Sequence, residues 1–137
     1  MEQLYHYHAW ANERMLTHIS SYPDVFTKTA VGSFSSIAGT FGHIYDVDRL
    51  WFSRMRGDSK PVTRKTVFQS AEEAKRTFNE LHKEMKAFLS AEMDENKRIY
   101  YTDSKGAAFQ NTLSELVTHM VNHGTSHRGN IVVMLRE

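Results

Sequence analysis

Apolar residues recur at three- and four-residue steps in four segments of the chain, which is the spacing of one buried face of an α-helix. The first predicted helix covers Gln3 to Ser20, the second begins at Ser35 or Ser36 and runs to Gly57, the third begins at Ser70, and the fourth begins at Thr112 and runs to the end. Ser70 with Glu73, and Thr112 with Glu115, have the spacing of a capping box.

The predicted core-facing residues form one stripe on each helix. They are, helix by helix, Leu4, Tyr7, Ala11, Met15 and Ile19; Ile37, Phe41, Ile44, Trp51 and Met55; Ala74, Phe78, Leu81, Met85 and Phe88; and Leu113, Leu116, Val117, Met120, Ile131, Met134 and Leu135.

The helical pattern fails between Glu92 and Gln110, which we interpret as a long connection. Within it, the stretch Ile99–Tyr101 has the character of a short extended piece, and Gly106 indicates a turn. Four amphipathic helices without a convincing sheet predict an all-α helix bundle formed by a single domain, residues 1–137. The loops are long for a bundle and would permit overhand crossovers.

Composition narrows the classes of function. The 17 Lys and Arg residues balance 16 Asp and Glu residues, and the longest basic cluster, Arg54 to Lys65, is interrupted by Gly57, Asp58 and Pro61. We therefore expect no nucleic-acid partner. The chain has no membrane-spanning apolar run, so we expect a soluble, cytoplasmic protein that does not engage a membrane. It has no cysteine, so histidine has to supply any soft metal ligands.

Three histidines recur every four residues in the fourth predicted helix: His119, His123 and His127. At about 100° per residue, His127 and His123 point into or beside the apolar stripe, and His119 lies further from it. A single buried histidine is usually a hydrogen-bonded core residue. Two imidazoles at positions i and i+4, in contrast, can converge on one metal ion.

A third ligand would have to come from another helix. His43 of the second helix is the natural donor, and Gly42 beside it leaves room for close approach, although His43 lies about 110° from the centre of its own apolar stripe. His82 falls on the predicted exposed side of the third helix. The remaining candidates, for which packing is the favoured role, are His6, His8 and His18.

Asp48 falls on the apolar stripe of the second helix near Trp51. A buried carboxylate has to be partnered. We favour a structural bridge to the first helix or to an arginine over a role in orienting a ligating histidine.

The chain resembles the DinB-like family of bacterial proteins over nearly its whole length. The resemblance is carried by Tyr7, Trp10, Ala11, Asn12 and Arg14 near the start, by the segment His43–Trp51 (HIYDVDRLW), and by the segment His119–Gly129 (HMVNHGTSHRG). The last segment is the most specific and the first the least.

The resemblance implies an up-up-down-down four-helix bundle with long crossover loops. It implies that one divalent metal ion, zinc or nickel by preference, is held by one histidine of the second helix and by the HxxxH of the fourth, which are His43, His123 and His127 here. His119, Asp48 and Arg128 then become neighbours of the site. Two departures bear on its rim: Asn130 stands where the family commonly has Gln, and the chain ends at Glu137 without the usual Pro-containing tail, which suggests a short or truncated C-terminus.

The resemblance further implies a thiol S-transferase that joins a small-molecule thiol to an electrophile. Three neutral imidazoles leave an open position on the ion, as catalytic sites do, and the cosubstrate would bring the thiolate that this chain lacks. Arg128 would recognise an acidic group on the thiol or, as we favour, bind another helix. The alternatives are a metal-dependent hydrolase that uses Asp48 or Tyr45 as base, and a non-catalytic metal- or ligand-binding bundle. A homodimer is also implied by resemblance.

Overall fold

In the computed structural model, which describes residues 1–30, 34–58 and 65–136, most of the chain is helical. Its elements in chain order are helix α1 (Glu2–Ile19), the short helix α2 (Pro23–Phe26), helix α3 (Ile37–Met55), helix α4 (Ala71–Ala91), strands β1 (Arg98–Thr102) and β2 (Ala108–Thr112), and helix α5 (Leu113–Leu135). The four long helices match the four predicted segments to within a few residues.

Side-chain caps fix where three of the long helices begin. Ser36 caps α3 by accepting a hydrogen bond from the backbone N–H of Gly39 at 2.9 Å, which decides between the two predicted caps. Ser70 caps α4, and Thr112 forms a reciprocal capping box with Glu115 at the start of α5. These caps satisfy N–H groups that the first turn of a helix leaves without partners.

The core lies between the long helices. Helix α1 packs along α4 and α5, and α3 packs along α5 and α4. Two clusters of buried apolar residues fill the space: one surrounds Tyr5 and Met120, and the other surrounds Phe41 and Phe78. The ring of Tyr45 contacts both clusters.

An antiparallel hairpin occupies the segment that we interpreted as an irregular connection. Strands β1 and β2 pair from Arg98 opposite Thr112 to Thr102 opposite Ala108. Gly106, at the predicted turn, adopts a positive φ of 81°, a conformation that glycine tolerates best. The prediction of a fold without a sheet was therefore wrong in this segment.

The buried face of α1 also differs from the predicted one. Leu4 and Tyr7 are 37% and 48% exposed. The predicted Ala11 and Ile19 do face the core, together with Tyr5, His8, Ala9, Asn12 and Leu16. His8 and Asn12 are polar, so a stripe defined by apolar residues alone coincided only in part with the buried face.

Some expectations fall wholly or partly outside the described residues. Glu137, at which the chain ends, and the middle of the basic cluster 54–65 are among them. Within the described residues, none of the helices is both long enough and apolar enough to span a bilayer.

Gly124 sets the distance between α1 and α5. A Cβ atom at this position would lie 2.4 Å from Cε1 of His8 and 2.8 Å from a guanidinium nitrogen of Arg128. Such distances are far inside van der Waals contact, so the absence of a side chain lets the His8 ring lie against the backbone of α5.

We expect Gly124→Ala to lower the free energy of unfolding by about 1–3 kcal/mol, because the added methyl group forces α1 and α5 apart. Urea denaturation followed by circular dichroism measures this effect. Gly129→Ala, on the same helix, is the matched control: nothing lies within 4 Å of its added Cβ, so it should be neutral or stabilising. Equal effects of the two substitutions would contradict the close-contact explanation.

Candidate metal centre

Three histidine side chains from two helices converge at one point. The ring centroids of His43 and His123 are 4.8 Å apart, those of His43 and His127 are 4.7 Å apart, and those of His123 and His127 are 4.5 Å apart. One ring nitrogen of each lies within 4.8 Å of one ring nitrogen of the other two. The structure therefore brings together the three residues that the family resemblance selected.

Their positions follow from the two helices that carry them. His123 and His127 lie one turn apart on the same side of α5. His43 reaches them from α3, where its neighbour Gly42 contacts the backbone of the segment after position 64: a Cβ at Gly42 would lie 2.4 Å from the carbonyl oxygen of Thr66. Gly42 thus makes room for a loop, rather than for the helix that we expected there.

Asp46 links that loop to α3 through two hydrogen bonds. Its carboxylate accepts a hydrogen bond from the backbone N–H of Thr66 at 2.8 Å and another from the hydroxyl of Thr66 at 2.5 Å. The loop is consequently held beside His43.

The environment favours neutral imidazoles. Burial, followed by the effects of His127 and His43, lowers the pKa of His123 to about 4. Burial also lowers the pKa of His43, with a further contribution from His127, and burial lowers the pKa of His127. At neutral pH all three rings are therefore uncharged, which is the form that binds metal ions.

Two nitrogen atoms of this group are buried without a hydrogen-bond partner among the described residues: Nδ1 of His123 and Nδ1 of His127. Nε2 of His123 lies 3.0 Å from Nε2 of His43. Phe34 covers one side of the group, with its ring stacked on His43 at 4.3 Å between centroids and edge-on to His127 at 5.6 Å. The group is polar, partly enclosed and short of protein hydrogen-bond partners.

A second group in the described part of the chain also has the spacing that could hold a metal ion: His8, Asp48 and His82, all buried. Here, however, hydrogen bonds join the side chains to one another and to their neighbours. Nε2 of His8 lies 2.7 Å from Oδ2 of Asp48, and Nδ1 of His8 lies 3.0 Å from a guanidinium nitrogen of Arg128.

The direction of these hydrogen bonds can be worked out from Arg128. A guanidinium only donates, so Nδ1 of His8 accepts, and the proton of His8 is on Nε2, which donates to Asp48. Arg128 also donates to Oδ1 of Asn12 at 2.7 Å. The amide nitrogen of Asn12 then faces Nε2 of His82 at 3.3 Å and donates to it.

The neighbours that we predicted for the site have other contacts. Asp48 bridges to α1 through His8, as we favoured from the sequence. Arg128 binds α1 and is 6% exposed, so it does not present its charge to a ligand. His119 is exposed and lies edge-on against Trp51 at 5.0 Å.

His82 is 4% exposed, which corrects the prediction that it lies on a solvated surface. Its charged neighbours in the sequence concealed this burial. Sequence reasoning also missed Phe34, Asp46 and the role of Asn12 in the core. Nothing in the helical periodicity marks Phe34, which precedes α3. Asn12 lies one turn after His8, and this spacing places the two side chains on one face of α1. The spacing indicates a shared role only once the partners of both side chains are known.

Comparisons with known proteins agree with the resemblance. The family model described as the DinB family matches residues 1–137. The chain is 29% identical over 144 residues to Protein DinB of Bacillus subtilis (strain 168), and the alignment covers 98% of this chain and 84% of the relative. A crystal structure of a DinB-like protein from Bacillus cereus ATCC 10987 matches with a TM-score of 0.74 and 19% identity, covering 98% of this chain and 87% of that chain. At 19% identity this last likeness concerns the fold alone.

The buried His82 makes stability depend on pH. Burial, with smaller effects of His8 and nearby cations, lowers its pKa to about 3, whereas the unfolded chain binds this proton with a pKa of about 6.5. The unfolded state therefore binds more protons between these values. Stability should fall as the pH drops below about 6.5, by up to roughly 1.4 kcal/mol per pH unit for this one group.

The substitution His82→Gln tests this, because glutamine still accepts a hydrogen bond from Asn12 but does not titrate. As the pH is lowered from about 6 to about 4.5, the free energy of unfolding of the variant should fall less steeply than that of the wild-type protein. The two slopes should differ by close to the value for one bound proton, roughly 1.4 kcal/mol per pH unit. Urea denaturation in the presence of a chelator measures both slopes. Parallel curves would show that His82 is not held neutral in the folded state.

Proposed function

Because the chain belongs to the DinB family, we propose that it holds one divalent metal ion on His43, His123 and His127 and uses it in a reaction of a small thiol. The observation that carries the proposal is the convergence of three neutral imidazoles, with one ring nitrogen of each within 4.8 Å of one ring nitrogen of the other two.

The donor set and its spacing fit such an ion. Two nitrogens that bind one tetrahedral ion, each about 2.0–2.1 Å away, lie roughly 3.3 Å apart, close to the 3.0 Å between Nε2 of His43 and Nε2 of His123. Imidazole ligands suit zinc, nickel, copper and ferrous iron. We keep zinc and nickel as the proposed ions.

The second group, His8, Asp48 and His82, is a poorer site. The nitrogen of His8 that faces Asp48 carries the ring proton, and the guanidinium of Arg128 lies 3.0 Å from the other nitrogen. An ion there would have to displace that proton and would lie beside a fixed positive charge. This group is better explained as a hydrogen-bonded part of the core.

Three protein ligands would leave a position for a substrate. A divalent ion held by these residues would favour the thiolate form of a thiol at neutral pH. The chain contributes neutral ligands, the ring of Phe34 that limits access of water to His43, and no competing thiol, because it has no cysteine. A transfer of a thiol sulfur to an electrophile is therefore the proposed reaction.

Hydrolysis is the second enzymatic candidate, and it would need a base or proton shuttle at the site. The two residues that we nominated from the sequence have other partners: Asp48 is hydrogen-bonded to His8, and the Tyr45 ring packs edge-on against Phe68 and Phe78. We therefore keep thiol transfer as the proposed reaction and hydrolysis as the second candidate. A binding protein without catalytic activity remains the alternative from another class.

The proposal also covers the domain organisation, the bundle topology, the location and the oligomeric state. We propose that residues 1–137 form one domain, that the four long helices form an up-up-down-down bundle, and that the protein works as a cytoplasmic homodimer on small molecules rather than on nucleic acid. The pairwise packing of α1 and α3 against α4 and α5 supports the bundle.

We expect His123→Ala to weaken metal binding by more than about 100-fold, because loss of a ligand should cost at least as much as loss of a residue that only orients one. Elemental analysis and titration calorimetry with zinc and nickel measure the stoichiometry and the affinity. His119→Ala is the matched control, since His119 lies one turn earlier on α5 and is exposed. It should bind one ion per chain as the wild-type protein does.

The same variants distinguish ligation from damage to the fold. An ion that binds only the folded state stabilises it, by about 2.7 kcal/mol at one hundred times its dissociation constant. This stabilisation should appear for the wild-type protein and His119→Ala and be absent for His123→Ala, while the helical circular dichroism signal of all three stays the same. Wild-type affinity in His123→Ala would refute the assignment.

Activity is tested with 2-mercaptoethanol and 1-chloro-2,4-dinitrobenzene. In this reaction a carbon–sulfur bond forms, the carbon–chlorine bond breaks, and chloride and the thiol proton leave to solvent. The metal-loaded protein should accelerate formation of the thioether above the rate in buffer, and His123→Ala should not. Ester hydrolysis without thiol would instead support the hydrolase, and metal binding without either reaction would support a binding protein.

A further inference from the structure

A cavity of about 650 Å³ opens beside His43. One wall is α3, and the others are the segments before α3 and before α4. Its lining residues are Thr27, Phe34, Ser35, Ser36, Ala38, Gly39, His43, Asp46 and the run 65–69. This volume is within the range of small-molecule sites.

Phe34 and His43 connect the cavity to the histidine group. Both line the cavity, and their rings are stacked at 4.3 Å between centroids. His43 also lies against His123 and His127. A molecule in the cavity would therefore lie next to the proposed metal centre, with His43 as the side chain common to both.

Part of the lining is apolar and buried. Phe68 is 2% exposed and Ala38 is 7% exposed, and both line the cavity together with Phe34. At the mouth, Val67 is 63% exposed. Apolar and aromatic walls of this kind bind the apolar body of a ligand.

Two charged residues line the same cavity, Asp46 and Lys65. The two carboxylate oxygens of Asp46 accept hydrogen bonds from the N–H and the hydroxyl of Thr66. Lys65, directly before Thr66, is exposed. Both oxygens of Asp46 are thus engaged by Thr66, so Lys65 is the charged side chain of this lining that can pair with a ligand.

We propose that this cavity binds the electrophilic cosubstrate, and that this cosubstrate is a small molecule with an apolar body and one acidic group. The inference rests on the proposed function, because the histidine group defines which end of the molecule reacts. The apolar body lies against Phe34, Ala38 and Phe68, and the acidic group pairs with Lys65 near the mouth. A small hydrophilic thiol gains little from such walls.

The probe for this proposal is 8-anilinonaphthalene-1-sulfonate, which has an apolar body and one acidic group. Its neutral counterpart is N-phenyl-1-naphthylamine, which lacks the sulfonate. Fluorescence titration gives the two dissociation constants, and equilibrium dialysis gives the stoichiometry. All measurements use the full chain with a chelator, so they do not depend on a bound metal ion.

Thr27→Trp places a large side chain at the exposed rim of the cavity and should weaken binding of both probes at least about tenfold by occupying their space. Thr17→Trp is the matched control: Thr17 is likewise exposed but lies on α1, beside a different depression. It should bind both probes as the wild-type protein does. Wild-type binding by Thr27→Trp would overturn the location of the site.

Lys65→Gln should weaken binding of the sulfonate probe about three- to fivefold, the scale of an exposed ion pair, and leave the neutral probe unchanged. Lys83→Gln, which removes an exposed lysine of α4 that lines another depression, should change neither. An equal effect of Lys65→Gln on both probes, or none on either, would contradict the proposal that the cosubstrate carries an acidic group. If the probes bind as expected but elemental analysis finds no metal, the cavity stands and the proposed metal function fails.

Discussion

One buried chain of hydrogen bonds joins all four long helices. It runs from Asp48 on α3 to His8 on α1, then to Arg128 on α5, back to Asn12 on α1, and on to His82 on α4. Each of these side chains is buried. Removal of one member would leave a charged or polar group without a partner in the core, which costs far more than a surface contact. The relative positions of the helices therefore depend on this chain.

The histidine group takes its geometry from this buried network. His127 precedes Arg128 and His123 precedes Gly124, so the turn of α5 that carries two proposed ligands is the turn that α1 contacts. Asp48 fixes α3 in the same way, five residues after His43. Ligands on helices that are fixed by packing hold their positions better than ligands on loops, which suits a site that has to bring three imidazoles to one point.

The sequence predicted the helices well because their signals are local: capping residues and apolar spacing act within a few residues. The HxxxH spacing on α5 is equally local. Periodicity could not predict that His43 belongs to the histidine group, because its side chain lies off the apolar stripe of α3, on the side that meets α5. Part of the buried face of α1 and the burial of His82 were mispredicted for a related reason, since buried His8 and Asn12 look polar until their partners on other helices are known. The hairpin depends on pairing between two short strands, and from the sequence only the first, at Ile99–Tyr101, had the character of an extended piece.

Histidine thus has two different environments in one chain. Both ring nitrogens of His8 and Nε2 of His82 have hydrogen-bond partners in the protein, whereas Nδ1 of His123 and Nδ1 of His127 are buried without a hydrogen-bond partner among the described residues. The two sides of the proposed metal centre also differ. Towards the core it is bounded by helices that a hydrogen-bonded network holds in place, and towards the cavity it is bounded by the segments 34–36 and 65–69.

Loops tolerate changes in sequence more readily than helices. If the cavity and the metal centre act as proposed, substitutions in these two segments can alter the molecule that enters the cavity without disturbing the proposed ligands, so specificity and metal binding can vary independently.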